Sequence, residues 1–160
     1  MSVYDGVTHS RLKAINLEAD SATLTTATIT NPRFTGVILN VRKRLTVAQV
    51  NAGVELVAAV SGKSIRMIAC KAIAIGAAAT TVTTVDVTGT ATTARKLVAY
   101  AQASLTQSTV LTDGGSGATV LADGASYTAN DAGTAINVSK TGGSVAGATH
   151  IDVIFDYVLE

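Results

Sequence analysis

The sequence predicts an all-β fold: an antiparallel β-sandwich or jelly-roll-like domain with one short helix and an extended N-terminal arm. Three observations predict it. Hydrophobic residues make up 48% of the chain while aromatics make up 4% and Trp is absent. The core must therefore be assembled from Val, Ile, Leu and Ala, and the β-branched members of that set suit strands. Apolar and polar residues alternate with period two in several stretches, most cleanly near the C-terminal end. Turn formers punctuate the second half at intervals of about ten residues, the spacing of meandering strands. At 160 residues the chain fits one compact domain.

Residues 1–35 stand apart because they carry no periodic core pattern. Ser21 to Asn31 is polar and Thr-rich and runs into the single proline, Pro32, which pushes its predecessor toward extended geometry. Thr-rich sequence is extended when paired and unstructured when not, so residues 1–35 read as an arm or edge segment ordered by a partner. The competing reading is an ordinary first strand. Residues 36–160 form the sandwich.

From Gly36 onward, Val37, Leu39, Val41 and Leu45 fall on one face and Asn40, Arg42 and Arg44 on the other, which predicts a half-buried strand. Thr46 and Gln49 stand at capping-box spacing and Gly53 supplies a left-handed cap, so one or two helical turns are expected between them. Residues 54–60 and 64–75 predict a hairpin about the turn Ser61-Gly62-Lys63. The second of these strands is apolar on both faces, with Ile65, Met67, Ala69, Ile73 and Ile75 on one and Ile68, Cys70, Ala72 and Ala74 on the other. It is expected to be central and covered twice, by a second sheet, a helix or a neighbouring subunit.

After a turn at Gly76, residues 80–88 set Val85 and Val87 against Thr84, Asp86 and Thr88 and stop at Gly89. Residues 94–110 fit a helical stripe as well as a strand face, and strand followed by loop is the preferred reading. Asp113-Gly114-Gly115, Asp123-Gly124, Asp131-Ala132-Gly133 and Thr141-Gly142-Gly143 read as turns. Ile151, Val153, Phe155, Tyr157 and Leu159 then alternate with His150, Asp152, Asp156 and Glu160 in a long strand tied into a sheet.

Composition also bears on function. Mean hydropathy is +0.39. Yet the charge-free stretches 72–85 and 97–112 fall short of the ~20 apolar residues that a membrane helix needs, which predicts a soluble chain. Charges begin at Asp5, leaving no room for the apolar core of a signal peptide. Net charge is +1, but residues 1–96 carry +6 and residues 97–160 carry −5. Such a bipolar chain either pairs its own halves, pairs across a subunit boundary or offers a basic face to a partner, or it simply presents two ordinary solvated faces, and the sequence leaves these readings open.

The residues that usually carry chemistry do not assemble in this sequence. Ser61-Gly62-Lys63-Ser64 matches only the tail of a phosphate-binding loop; Val57 stands where that loop needs Gly, and a strand follows instead of a helix. Cys70, the single cysteine, sits mid-strand among apolar residues and reads as structural. His150 and Asp152 share a strand face, but no third ligand accompanies them. Asp113, Asp123 and Asp131 lack any calcium-loop spacing and read as turn formers. The cluster Arg42-Lys43-Arg44 places two arginines on one face without aromatic interleaving, a short phosphate track that suits an acidic protein surface better than nucleic acid. The expectation is a non-enzyme with no cofactor and no metal.

A Thr-rich first segment, the capped helix within residues 45–60, Ser61-Gly62-Lys63 and the strand reaching Ile73-Ala74-Ile75-Gly76 follow one another. Then come the Asp123-Gly124 and Asn130-Asp131-Ala132-Gly133-Thr134 turns and the ending His150-Ile151-Asp152-Val153. In this order of elements the chain resembles the small capsid decoration, or cement, proteins of tailed bacteriophages. The resemblance covers most of residues 36–160 and rests on no catalytic motif. It implies a virion protein on the capsid exterior, made in the host cytoplasm. It further implies a homotrimer that binds the major capsid protein and clamps neighbouring subunits of an expanded head. No nucleic acid or membrane partner is expected. The arm and the basic residues Arg11, Lys13, Arg33, Arg42 and Arg44 are then the candidate capsid-docking groups. The alternative is a carbohydrate- or host-surface-binding β-sandwich module of a phage head fibre or tail. Against it stands the scarcity of stacking platforms, since only Tyr4, Tyr100, Tyr127, Tyr157, Phe34 and Phe155 are aromatic.

Overall fold

Alternation builds the first strand as expected. β1 (Leu39–Thr46) exposes Asn40, Arg42 and Arg44 and buries Leu45. Thr46 ends the strand and starts helix α1 (Val47–Ala52), where its hydroxyl accepts the Gln49 N–H at 3.2 Å and the Gln49 side-chain carbonyl accepts the Thr46 N–H at 2.9 Å. The capping box is closed at both ends. Gly53, at φ +78°, donates its N–H to the Val50 carbonyl and stops the helix after six residues. Asn51 stitches α1 to a later strand by accepting the Val145 N–H and donating to the Val145 carbonyl.

The structure is a computed structural model that describes residues 37–91, 96–115, 118–120 and 129–160. The arm expected over residues 1–35, with Arg11, Lys13 and Arg33, lies outside the described residues, as does the Asp123-Gly124 turn. After α1 come β2 (Val54–Val57), β3 (Ile65–Ile75), β4 (Thr80–Gly89), β5 (Lys96–Ala101), a 3-10 turn (Gln102–Ser104) and β6 (Val110–Thr112). β7 (Ala118–Val120), β8 (Ile136–Ala146) and β9 (His150–Leu159) complete the described elements.

These strands form two antiparallel sheets, one in the order β1-β9-β3-β6 and one in the order β2-β8-β4-β5-β7. The fold is an all-β sandwich. Its pairs are nested: β4 with β5, β3 with β6, β2 with β8 and β1 with β9. With β7 set aside as an added edge strand, one long antiparallel ribbon is wrapped so that successive ribbon segments fall in alternate sheets, which is the jelly-roll order. Between the sheets lies a core in which Phe155, Tyr100, Met67, Ile65, Ile151 and Leu56 are fully buried. Each large apolar side chain so buried contributes roughly 1.5–3 kcal/mol of transfer free energy. At the far end of β9, the backbones of Ser64 and Glu160 exchange two hydrogen bonds at 3.0 Å.

Three sequence expectations are corrected. Residues 54–75 do not form a hairpin: β2 pairs with β8, while both edges of β3 are taken by β9 and β6. The turn around Gly62 therefore passes from one sheet to the other. Strict alternation along β3 also fails, because a bulge between Met67 and Ala69 switches the parity. Ile65 and Met67 face the core before it, Cys70, Ala72 and Ala74 after it. The strand is central, but within the described residues only that one face meets a second sheet. Thr141-Gly142-Gly143 is no turn but the middle of β8. A Cβ on Gly142 would run into Thr83, and one on Gly143 into the Thr81 carbonyl, so the two glycines admit the irregular first half of β4. The reading of residues 94–110 as strand then loop agrees with β5 and the 3-10 turn, and β9 follows its predicted alternation.

Candidate functional site

Registers across the β1-β9-β3-β6 sheet place two cross-strand rows on its outward face. One row runs Arg42, Ile154, Lys71, Thr112 and the next runs Arg44, Asp152, Ile73, Val110. The inward neighbours Ile151, Val153, Cys70 and Ala72 are buried in the core, which fixes these rows as outward.

Arg44 binds Asp152 through two parallel contacts, Nε to Oδ1 at 2.8 Å and Nη2 to Oδ2 at 2.9 Å, and Arg42 adds a longer one at 3.4 Å. The arginine side chains are 57% and 63% exposed, whereas Asp152 is 2% exposed beneath them. The Arg44 hydrogen bond, helped by Arg42 and the two positive charges, holds the Asp152 carboxyl below its ordinary range against the opposing effect of burial. In return, the hydrogen bond and charge of Asp152 raise the Arg44 guanidinium further. Two of the five candidate docking residues are thus brought together on one face, but over an acid of their own chain. Arg44 is committed to it; Arg42 keeps most of its donors free. Lys43 faces the other way and donates to the Glu55 carbonyl at 2.8 Å.

The other chemical candidates fall into structural roles. Cys70 is fully buried; burial pushes its thiol up to about 12, with the neighbouring Tyr100 hydroxyl pulling the other way. Tyr100 reaches across from β5, and its hydroxyl meets the thiol without forming a well-directed hydrogen bond. Burial, foremost, also holds the Tyr100 phenol above its usual range. His150 contacts the Thr149 hydroxyl at 3.1 Å rather than Asp152, whose partners are the arginines. Asp113 accepts the Cys70 N–H at 2.8 Å and returns its own N–H to the Cys70 carbonyl, which extends the edge pairing beyond β6. Among the described residues no cluster of three His, Cys, Asp or Glu stands at metal-binding distance, and no helix is long and apolar enough to cross a membrane.

One ion pair on a buried acid escaped sequence reasoning. Asp86, 2% exposed on β4, meets Lys96 Nζ at 3.0 Å and accepts the Thr141 hydroxyl at 2.6 Å. Alternation put Asp86 on the outward face, but only the β4-β5 register, with its bulge at Thr88, brings Lys96 to it. The outward side of this second sheet is otherwise hydroxyl- and amide-rich, with Thr84, Thr88, Asn137, Ser139 and Thr141. No family model matches the chain, and neither a curated protein nor a solved structure matches it.

Proposed function

We propose that this chain is a structural virion protein of the capsid-decoration type, which as a homotrimer binds the major capsid protein on the outside of a phage head and bridges its subunits. The observation that carries the reading is the outward face of the β1-β9-β3-β6 sheet, where exposed basic and large apolar side chains stand side by side on a rigid ladder. An area of this kind suits the surface of another protein, and many copies of a modest contact give avidity on a shell. The resemblance in element order points the same way. The sugar-binding alternative loses further ground: Tyr100 and Phe155 are buried and Tyr157 packs against the core, so none of the described aromatics offers an open stacking face.

The test is co-sedimentation of the full chain with expanded, DNA-free heads assembled from the major capsid protein encoded alongside it. Saturable pelleting at a fixed ratio to capsid subunits, together with a trimeric mass by light scattering, is the expected result. Absence of pelleting over a micromolar concentration series overturns the reading.

A further inference from the structure

The two faces that the sandwich turns outward are chemically unlike. An antiparallel sheet with one solvated side alternates apolar-in and polar-out. The β2-β8-β4-β5-β7 sheet obeys along β4 and β8, with its row of Thr, Asn and Ser. The β1-β9-β3-β6 sheet does not. Ile154, Ile73 and Ile75 point out and remain only partly buried, and Val110 beside Ile73 is 51% exposed. The parity switch at the Met67/Ala69 bulge is what turns Ile73 and Ile75 outward. Four large aliphatic side chains grouped on one outward face mark a surface for association, and an aggregation liability where nothing covers them.

Charge identifies what covers them. Two acids stand on this face: Asp152 is consumed by Arg44 and partly by Arg42, and Asp156, in the row beyond Ile154, accepts a hydrogen bond from the Asn40 side-chain amide. Lys71 is exposed and has no acidic partner among the described residues, and Arg42 has only its 3.4 Å contact. Register sets Arg42 and Lys71 on either side of Ile154, one strand away each, so their Cα atoms are roughly 9–10 Å apart. The face is an isoleucine and valine floor with a cation on each side. Phosphate chains gain nothing from such a floor, and no aromatic ring on these rows offers a base a platform. An apolar protein ridge flanked by carboxylates gains from both parts.

We propose that this outward face, centred on Ile154, Ile73 and Val110 and flanked by Arg42 and Lys71, is the docking surface, and that its partner is a protein surface presenting an apolar ridge bordered by acidic side chains. The proposal rests on the decoration reading in taking that partner to be the capsid lattice. It moves the docking role from Arg44, which holds the fold, to Lys71 and the aliphatic floor.

Head co-sedimentation of Lys71→Glu and Val110→Asp, with Thr88→Glu on the opposite sheet as control, tests it. Each variant is first checked for an unchanged circular dichroism spectrum. Lys71→Glu and Val110→Asp are expected to weaken binding about tenfold or more, and Thr88→Glu to leave it unchanged. Amine acylation followed by mass spectrometry supplies a readout on the unmutated chain: heads should protect Lys71 and leave Lys140 reactive. No pelleting of the wild type overturns the decoration reading and this inference with it. Wild-type pelleting that survives both substitutions, with Lys71 still acylated, overturns the face alone, as does loss of binding confined to Thr88→Glu.

Discussion

Arg44 and Asp152 face each other across the β1-β9 pair, joined by two parallel hydrogen bonds that place a nearly inaccessible carboxylate under a mostly exposed guanidinium. The asymmetry matters, because removing the exposed partner strands the buried one.

Arg44→Ala is therefore expected to lower the urea midpoint more than Arg42→Ala, since Arg42 contributes one long contact and Arg44 the bidentate grip. Equal midpoints for the two variants would contradict the division of roles.

The same pair sets an acid limit on stability. In the folded chain the Asp152 carboxyl titrates below its unfolded value of about 4, so its contribution is complete above that value and is lost as pH falls through the folded one. Urea midpoints of the wild type should fall toward those of Asp152→Asn as pH is lowered below about 4, and the gap between the two should be widest near neutrality.

Thr46→Ala removes the hydroxyl that caps α1 and should cost about 1 kcal/mol in chemical denaturation, whereas Thr46→Ser, which keeps a capping hydroxyl, should leave stability nearly unchanged. Both are read without loss of the sandwich, because α1 buries only Val50.

Gly142 and Gly62 both adopt positive φ, +84° and +68°, but a Cβ meets Thr83 at the first and open space at the second. Gly62→Ala should cost about 1 kcal/mol, the backbone strain alone. Gly142→Ala should cost more, by about 1–3 kcal/mol for the forced separation of β4 and β8. Thermal unfolding of the two variants side by side checks the order.

Native protein at pH 8 should leave Cys70 unmodified by a thiol-reactive disulfide over hours, and full modification should follow at once in denaturant. Rapid labelling of the native chain would mean that the two sheets part in the region of Tyr100.

Local patterns in this chain were legible wherever one element decides its own structure. Thr46, Gln49 and Gly53 specify α1 through contacts three or four residues apart, and the alternation of β9 needs only its own length. What could not be read depends on partners far along the chain. The Gly62 turn looks like a hairpin, and only the capture of β3 by β9 and β6 shows that it connects two sheets. A bulge leaves no mark in a run of apolar residues, so the two-sided character of β3 was visible but the split of its side chains was not. Gly142-Gly143 has turn chemistry, yet those glycines serve the approach of a neighbouring strand. At the site, Arg42 and Arg44 were visible as a shared face, while their acid lies 108 residues beyond Arg44 and Lys71 joins them only through register.

The nested pairing also prescribes an order of assembly. Joining β4 to β5 brings the flanks of that hairpin together, so the closure entropy for β3 with β6 is reduced, and each further pair shortens the loop left for the next. β9 stands between β1 and β3, and until it is synthesised the Arg-bearing strand has no hydrogen-bonding neighbour in its sheet. The β4-β5 ribbon is therefore expected to form first in a nascent chain, and the first sheet to close only once β9 has emerged. Chains truncated before His150 would expose β1 and β3 as open edges, and aggregation of such fragments would be the cellular signature of a ribbon stopped one strand short.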